Sequence, residues 1–443
     1  MRRTLWLTAL SLWLAATAQA ADLLVTYRDA VGYDAQFAAA RAALEAGREK
    51  LPQGRAGLLP TLGLSANTVW NDVDYESRPS TGAVPARYNS NGWGVSLSQP
   101  LFRWQNWASY KQAELAVVQA ETQYAAARQD LLVRVAQAYF DVLLAQETLT
   151  TAQAQKAAIA EQLASAKRNF EVGTATITDT HEAQARYDLT NAQEIAATND
   201  LQVKRHALQM LTGKEAQALD KLKPGFDLKR PQPDDIAQWV NAAEQGNLAL
   251  QASQAAYEIA DREVGKQRAG HLPTLDFVAT RGRSSLQTTL ALGAVRPGSD
   301  SDATTVGLQL AMPLFAGGAV ASRDRETVAL RDKARADVDN ARRQAALQAR
   351  QAYLGVTSGM AQVAALDQGL VSSQSALDSN RLGYEVGVRI NIDVLNAQQQ
   401  VYSTRRDLAK ARLDTLAAQL RLKAAAGTLG DEDLVAVNQL LEK

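Results

Sequence analysis

The sequence predicts an α+β membrane protein, built twice over from a pair of β-strands and a very long helical hairpin. Three observations predict it. A block running strand, polar stretch, strand, long helix, turn, helix occurs twice, and Leu62 of the first copy corresponds to Leu275 of the second at an offset of 213 residues. The strands alternate apolar with small polar residues, whereas the helical stretches run on for dozens of residues without a proline. The chain also begins like an exported protein.

That beginning is Met1-Arg2-Arg3, an apolar run through Leu5, Trp6, Leu10, Leu12 and Leu14, and Ala18-Gln19-Ala20 before Ala21. A basic start, a short apolar core and a small-x-small ending describe a secretory signal peptide over residues 1–20. The run is too short to span a membrane, which takes about 20 apolar residues. Cysteine is absent, which excludes disulfides, thiol catalysis and a lipid-anchoring cysteine. Lys+Arg and Asp+Glu number 47 each, so removing Arg2 and Arg3 leaves a mature net charge of about −2. No field that would gather nucleic acid follows from that balance. The three histidines are scattered, without metal-ligand spacing or a nucleophile motif, so no enzyme, metal or cofactor is expected.

The mature chain starts with a helical pattern from about Leu24 to Lys50, in which Phe37, Ala40, Leu44 and Leu51 recur at helical spacing. The period then changes to two. Leu62, Leu64, Ala66, Thr68 and Trp70 alternate with Gly63, Ser65, Asn67 and Val69, and Trp93, Val95 and Leu97 alternate with Gly94, Ser96 and Ser98. Between them Asn71–Asn91, rich in Pro, Ser and Gly, reads as a loop of about twenty residues. A helical pattern of about 65 residues follows, roughly 100 Å at 1.5 Å per residue. Length of that kind points to a coiled coil or a helical tube.

The repeats place the boundaries. The first covers residues 21–213, with strands at about 60–71 and 92–100 and a helical hairpin at about 104–211 whose tip lies near 170–179. A Pro-bearing linker spans 214–240. The second covers 241–428, with strands at about 273–282 and 304–313 and a hairpin at about 316–428 whose tip lies near 384–393. Residues 429–443 form a tail. Arg55 to Leu62 recurs as Arg268 to Leu275 with one change, and Pro100-Leu101-Phe102 recurs as Pro313-Leu314-Phe315. Each tip carries aromatic-Glu-Val-Gly, at Phe170–Gly173 and Tyr384–Gly387.

Alternation over about ten residues is the signature of a membrane-spanning strand; a soluble sheet with one greasy face gives the same pattern. Four strands cannot close a barrel, and an open edge in lipid leaves backbone groups unpaired at several kcal/mol each. Membrane strands here therefore demand an oligomer of unstated number. The last helix agrees, with one seam through Val394, Val401, Leu408 and Leu422 and another through Leu413, Leu416 and Leu420.

With these motifs in place the chain resembles the TolC family of outer membrane channel-tunnels, the outer membrane efflux proteins. The resemblance rests on the duplicated Leu-Pro-Thr-Leu, the Pro-Leu-Phe corners, the two Val-Gly tips and the closing Ala426–Leu434 stretch. It implies a homotrimer with a 12-stranded transmembrane β-barrel continuous with a long periplasmic α-helical barrel and a mixed α/β equatorial belt. It also implies a passive duct of tripartite efflux or type I secretion systems, set in the outer membrane lipid. An inner-membrane pump or ABC transporter supplies the energy, and a periplasmic adaptor protein docks on the tips. The resemblance assigns adaptor docking to Val172, Gly173 and Thr174 and to Val386, Gly387 and Val388. It assigns a gate latch to Tyr384 and Arg389 facing Thr178 and Asp179. The family has two acidic rings at its aperture; Asp393 matches one, but Asn396 stands where the other would be. Glu182, three residues after Asp179, occupies the equivalent place on the first tip and is expected to restore the charge. A soluble periplasmic coiled-coil adaptor is the alternative reading, and a receptor role for the stretches Asn71–Asn91 and Gly282–Asp302 can coexist with transport.

Overall fold

A computed structural model describes residues 22–76, 83–215, 219–223, 225–287, 289–291 and 294–442. The signal peptide expected at 1–20 lies outside them. The chain forms two compact units, one of residues up to Ala40, Ala125–Asn247 and Gln344–Lys443, the other of Arg41–Tyr124 and Leu248–Arg343.

The second of these holds the sheet. Strands β1 (Thr61–Glu76), β2 (Ala83–Phe102), β3 (Thr274–Leu286) and β6 (Ser299–Ala311) pair antiparallel in the order β1-β2-β3-β6, while β4 (Thr289–Ala291) and β5 (Ala294–Arg296) make a separate small hairpin. Both repeats thus feed one continuous sheet. The register keeps one parity across it. Leu64 faces Val95, Leu97 faces Ala279 and Phe277 faces Leu308 on one side; Gly63 faces Ser96, and Ser96 faces Thr280, on the other. Among the described residues nothing covers the apolar side: Leu64 is 76% and Trp70 80% exposed, and Val306, Leu308 and Leu310 are exposed with them. β1 and β6 are open edges.

The strands outrun the sequence expectation, and most of the polar stretches at Asn71–Asn91 and Gly282–Asp302 are strand, not loop. Beyond the apolar band the ladder continues on polar and ionic cross-strand pairs. Arg87 Nε meets Asp72 at 3.1 Å, Arg283 Nη2 meets Asp300 at 2.5 Å, and Asn89 Nδ2 donates to Thr68 Oγ1 at 2.9 Å. On β1 and β2 the alternation changes phase there, with Val73 opposite Ala86 on one face and Asp72 opposite Arg87 on the other, so the apolar parity of Leu64 to Trp70 does not continue. Pro85 is tolerated because β3 pairs with β2 only as far as Ser90, which leaves β2 an edge at that point.

At the foot of the sheet the chain turns into α4 (Trp104–Glu171). Arg103 fixes that corner with a two-pronged contact to the buried Asp276, 2.8 Å from Nε and 2.6 Å from Nη2. The helix expected at 24–50 is instead three: α1 (Leu23–Tyr33), α2 (Ala35–Arg48) and α3 (Lys50–Ala56). The first break is Asp34, whose N–H caps α1 on the Ala30 carbonyl while its carboxylate accepts from Phe37 N at 2.7 Å, starting α2. Local capping defeats a continuous apolar period there. α2 and α3 pack tightly on α4 through small residues: a Cβ on Gly47 or Gly54 would lie 2.4 Å from Ala120 or 2.6 Å from Ala113.

The other unit holds the distal lengths of the hairpins, from Ala125 and from Gln344 onward. α5 (Ile177–Thr212) returns along α4, and α9 (Asn391–Ala425) returns along α8 (Ala319–Glu385). α6 (Ile236–Gly246) and α10 (Asp431–Asn438) complete the helices of this unit, while α7 (Leu248–Arg268) belongs to the unit with the sheet. The linker pairs with the tail, Lys223 N donating to Leu440 O at 2.9 Å and Glu442 N to Lys221 O at 2.7 Å. Instead of one central core, small clusters recur along the helices. Ile159, Leu163, Ala166, Ala183 and Leu395 form one, and Leu377, Val394 and Val401 another. Both seams of α9 are buried. Exposed apolar side chains instead line α5, at Leu189, Ile195, Val203 and Met210, and α8, at Leu347, Leu354, Val371 and Leu382.

Candidate functional site: the paired helical tips

The two tips end their outgoing helices alike. Gly173 and Gly387 adopt φ of 80° and 78°, a left-handed conformation that glycine takes without strain. The Asn169 carbonyl then accepts from Thr174 N at 2.8 Å and Ala175 N at 3.2 Å; the Gly383 carbonyl accepts from Val388 N at 2.9 Å and Arg389 N at 3.0 Å. Nothing lies within 4 Å of a Cβ built on either glycine. The sequence-predicted docking residues Val172, Thr174, Val386 and Val388 are all exposed around those glycines. Each tip therefore offers a close-approach surface of backbone rimmed by uncovered valine.

The return helices start differently. Thr176 caps α5 in a reciprocal box with Asp179: Asp179 N donates to Thr176 Oγ1 at 3.3 Å, and the Asp179 carboxylate accepts from Thr176 N at 2.9 Å and Oγ1 at 2.8 Å. Asp393 holds the same third helical position in α9, but Ile390 at its cap has no side-chain acceptor. The Asp393 carboxylate pairs instead with Arg389 Nη1 at 3.6 Å. So one aspartate is committed to its own helix start, while the other is in a loose ion pair with Arg389.

Within the chain Arg389 does not reach Thr178 or Asp179, and Thr178 is exposed. Arg389 lies over Gly383, where a Cβ would come within 2.7 Å of its Cγ. The tips are joined by other residues. Asn169 Nδ2 donates to Tyr384 Oη at 3.4 Å, and Asn391 Nδ2 to the Asp179 carbonyl at 3.5 Å. Arg186 donates Nη2 to Asn396 Oδ1 at 2.7 Å and Nη1 to Gln399 Oε1. Glu182 is half-buried, one turn before Arg186, and among the described residues it has no ion pair. Asn169, Arg186, Asn391 and Gln399 were not singled out by sequence. Arg186 alone carried a hint, standing four residues after Glu182 on the same helical face. Among the described residues no group of three His, Asp or Glu side chains is placed to hold a metal ion.

Strands with an uncovered apolar face, merging into long helical hairpins that end in uncovered valine–glycine tips, define an outer membrane conduit. The chain belongs to the outer membrane efflux protein family, whose model matches residues 26–214 and 239–428. It is 33% identical to the Proteases secretion protein PrtF of Dickeya chrysanthemi over 98% of this chain and 94% of that one. It is 32% identical to the Outer membrane protein TolC of Vibrio cholerae over 95% and 93%. The fold matches the crystal structure of the outer membrane protein VceC from Vibrio cholerae with a TM-score of 0.78 at 20% identity, covering 91% of this chain and 96% of that one. The protein is thus a Gram-negative outer membrane channel of the efflux and secretion class, a conduit and not an enzyme, and the soluble adaptor reading is not supported.

Proposed function

We propose that three copies of this chain close a single 12-stranded barrel and form a passive duct across the outer membrane and periplasm. The observation that carries this reading is the four-stranded sheet with two open edges and one uncovered apolar face. An edge in lipid is untenable, four strands are too few to close alone, and copies joined β6 to β1 remove every edge. The exposed apolar rows on α5 and α8 support the same assembly, because they are the helical faces the chain leaves without a partner. Small polar residues on the other face of the sheet then line a wet lumen.

In this reading the tips are the gate and the docking place for a periplasmic adaptor, with an inner-membrane pump or ABC transporter supplying energy. Arg389 latches onto Thr178 and Asp179 of a neighbouring copy, with Tyr384 beside it. Asp393 and Glu182 charge the aperture. Docking uses Val172, Gly173, Thr174, Val386, Gly387 and Val388. The relative named for protease secretion favours an exported protein as cargo, and the TolC relative is compatible with that. Deleting the gene and assaying the secreted proteome beside drug sensitivity separates the two. Loss of a secreted protein with unchanged drug sensitivity supports secretion, and the reverse refutes it. Fractionation and cross-linking test the assembly: a trimer extracted from the outer membrane is required, and a monomer in the periplasmic fraction refutes it.

A further inference from the structure

The two hairpins of each chain meet near their tips along α5 and α9, and the contact is thin. Its apolar part is Ala183 and Tyr187 on α5 against Leu395 and Ile392 on α9, with Ile159, Leu163 and Ala166 of α4 behind them. Asn391 and Gln398 on α9 are both 1% exposed, yet each keeps a side-chain oxygen without a donor. Across this contact lies one cationic fork: the half-buried Arg186 guanidinium donates to Asn396 at 2.7 Å and to Gln399 one turn further on. Both acceptors are neutral amides. A carboxylate, Glu182, stands four residues before Arg186, the spacing at which a helical pair forms, and is unpaired in this state.

We infer that Arg186 is a clamp within each chain, separate from the Arg389 latch, and that it exchanges partners when the aperture opens. This rests on the reading of the tips as a gate. With the hairpins together, the guanidinium holds Asn396 and Gln399 of α9, and Glu182 is a free charge. When α9 moves away from α5 those bonds break, and Arg186 folds back onto Glu182 of its own helix. The second partner offsets much of the cost of opening. The neutral residue at 396 is what makes the exchange possible. An aspartate there would put a full negative charge opposite the guanidinium and could hold it bidentately, and Glu182 could no longer compete. Asn396 therefore sets the strength of the clamp, and the aperture loses Glu182's charge as it opens.

The test is single-channel recording of the full-length protein in planar bilayers. Arg186→Gln is expected to raise mean conductance at least about threefold, and Asn396→Asp to lower it at least about threefold, although the latter adds acidity to the aperture. The swap Arg186→Glu with Asn396→Arg is expected to return conductance to within about a factor of two of the parent. Asn396→Asp preserves side-chain shape, so it leaves the fold intact. A structural role for Arg186 alone predicts no opposite effect from Asn396→Asp and no rescue by the swap. Conductance that stays unchanged in both single variants, or moves the same way in both, overturns the clamp while leaving the duct in place. A parent protein that forms no channel overturns the duct, and the clamp with it.

Discussion

Replacing Arg389 by serine is expected to leave the fold nearly untouched and to open the channel. In the chain Arg389 has one ionic partner, Asp393, four residues on at 3.6 Å, with the two side chains 59% and 34% exposed. An exposed pair at that spacing contributes about 0.3–0.5 kcal/mol once solvent screening is counted. Its loss shifts the melting temperature by no more than about 1 °C in a chain of this size. A latch to a carboxylate of a neighbouring copy is a hydrogen bond to a charged group, worth about 1.5–3 kcal/mol. Giving up the Asp393 pair to make it leaves a net of roughly 1–2.5 kcal/mol per chain, or about 3–7 kcal/mol over three equivalent copies. At about 1.4 kcal/mol per factor of ten, Arg389→Ser should shift the closed-to-open ratio by two to five powers of ten. Tyr384→Phe, which removes the acceptor of the 3.4 Å bond from Asn169, should add a smaller increment. Planar-bilayer conductance beside a thermal melt is the assay. Unchanged conductance with an unchanged melt would show that Arg389 is a solvated surface cation and that the latch reasoning is wrong.

Asp393→Asn and Glu182→Gln should each lower the cation selectivity of the resting channel, the state in which Glu182 is unpaired, measured as reversal potential under a salt gradient, and no change from Glu182→Gln would remove it from the resting aperture. Gly387→Val should weaken capture of the cognate adaptor while the protein still assembles, because φ of 78° strains any β-branched residue and the added methyls rim the close-approach surface; unimpaired capture by an assembled variant counts against docking there. Asp34, whose carboxyl is held below the usual range chiefly by hydrogen bonds from Arg134 at 3.1 and 3.2 Å, should give a pH signature. A depressed carboxyl stabilises the fold above its unfolded value of about 3.9, and that stability is lost as pH falls through the lower folded value. Asp34→Asn should therefore cost about 1–2 kcal/mol at pH 7 and much less near pH 3, read from thermal melts; an equal cost at both pH values refutes the ionic account.

The features that sequence made legible are those with a period or a repeat. Leu62 and Leu275 at one offset, the parity of Leu64, Val95, Phe277 and Leu308, and the Gly173 and Gly387 turns all recur in the structure. What escaped notice lacks periodicity. Beyond Trp70 the alternation changes phase, Val73 pairing with Ala86 on the face opposite Asp72 and Arg87, and beyond Arg281 it is mostly polar, so pairing there depends on partners such as Arg87–Asp72 that only the register brings together. The break at Asp34 is decided by a cap that overrides a continuing apolar period. Arg186 and Asn396 are 210 residues apart, and nothing in either neighbourhood announces the other. The equivalence of Asp179 and Asp393 was visible, but their different employment follows from Thr176 against Ile390 at the cap, a one-residue difference.

The open edges of β1 and β6 carry a genetic consequence. In the proposed trimer a chain that cannot finish its own sheet has no partial success: one copy with a damaged edge would deny closure to two sound ones. Expressed in equal amounts with the normal protein, a variant that still associates but cannot pair at β6 would leave only about one assembly in eight free of it. Such an allele would be dominant.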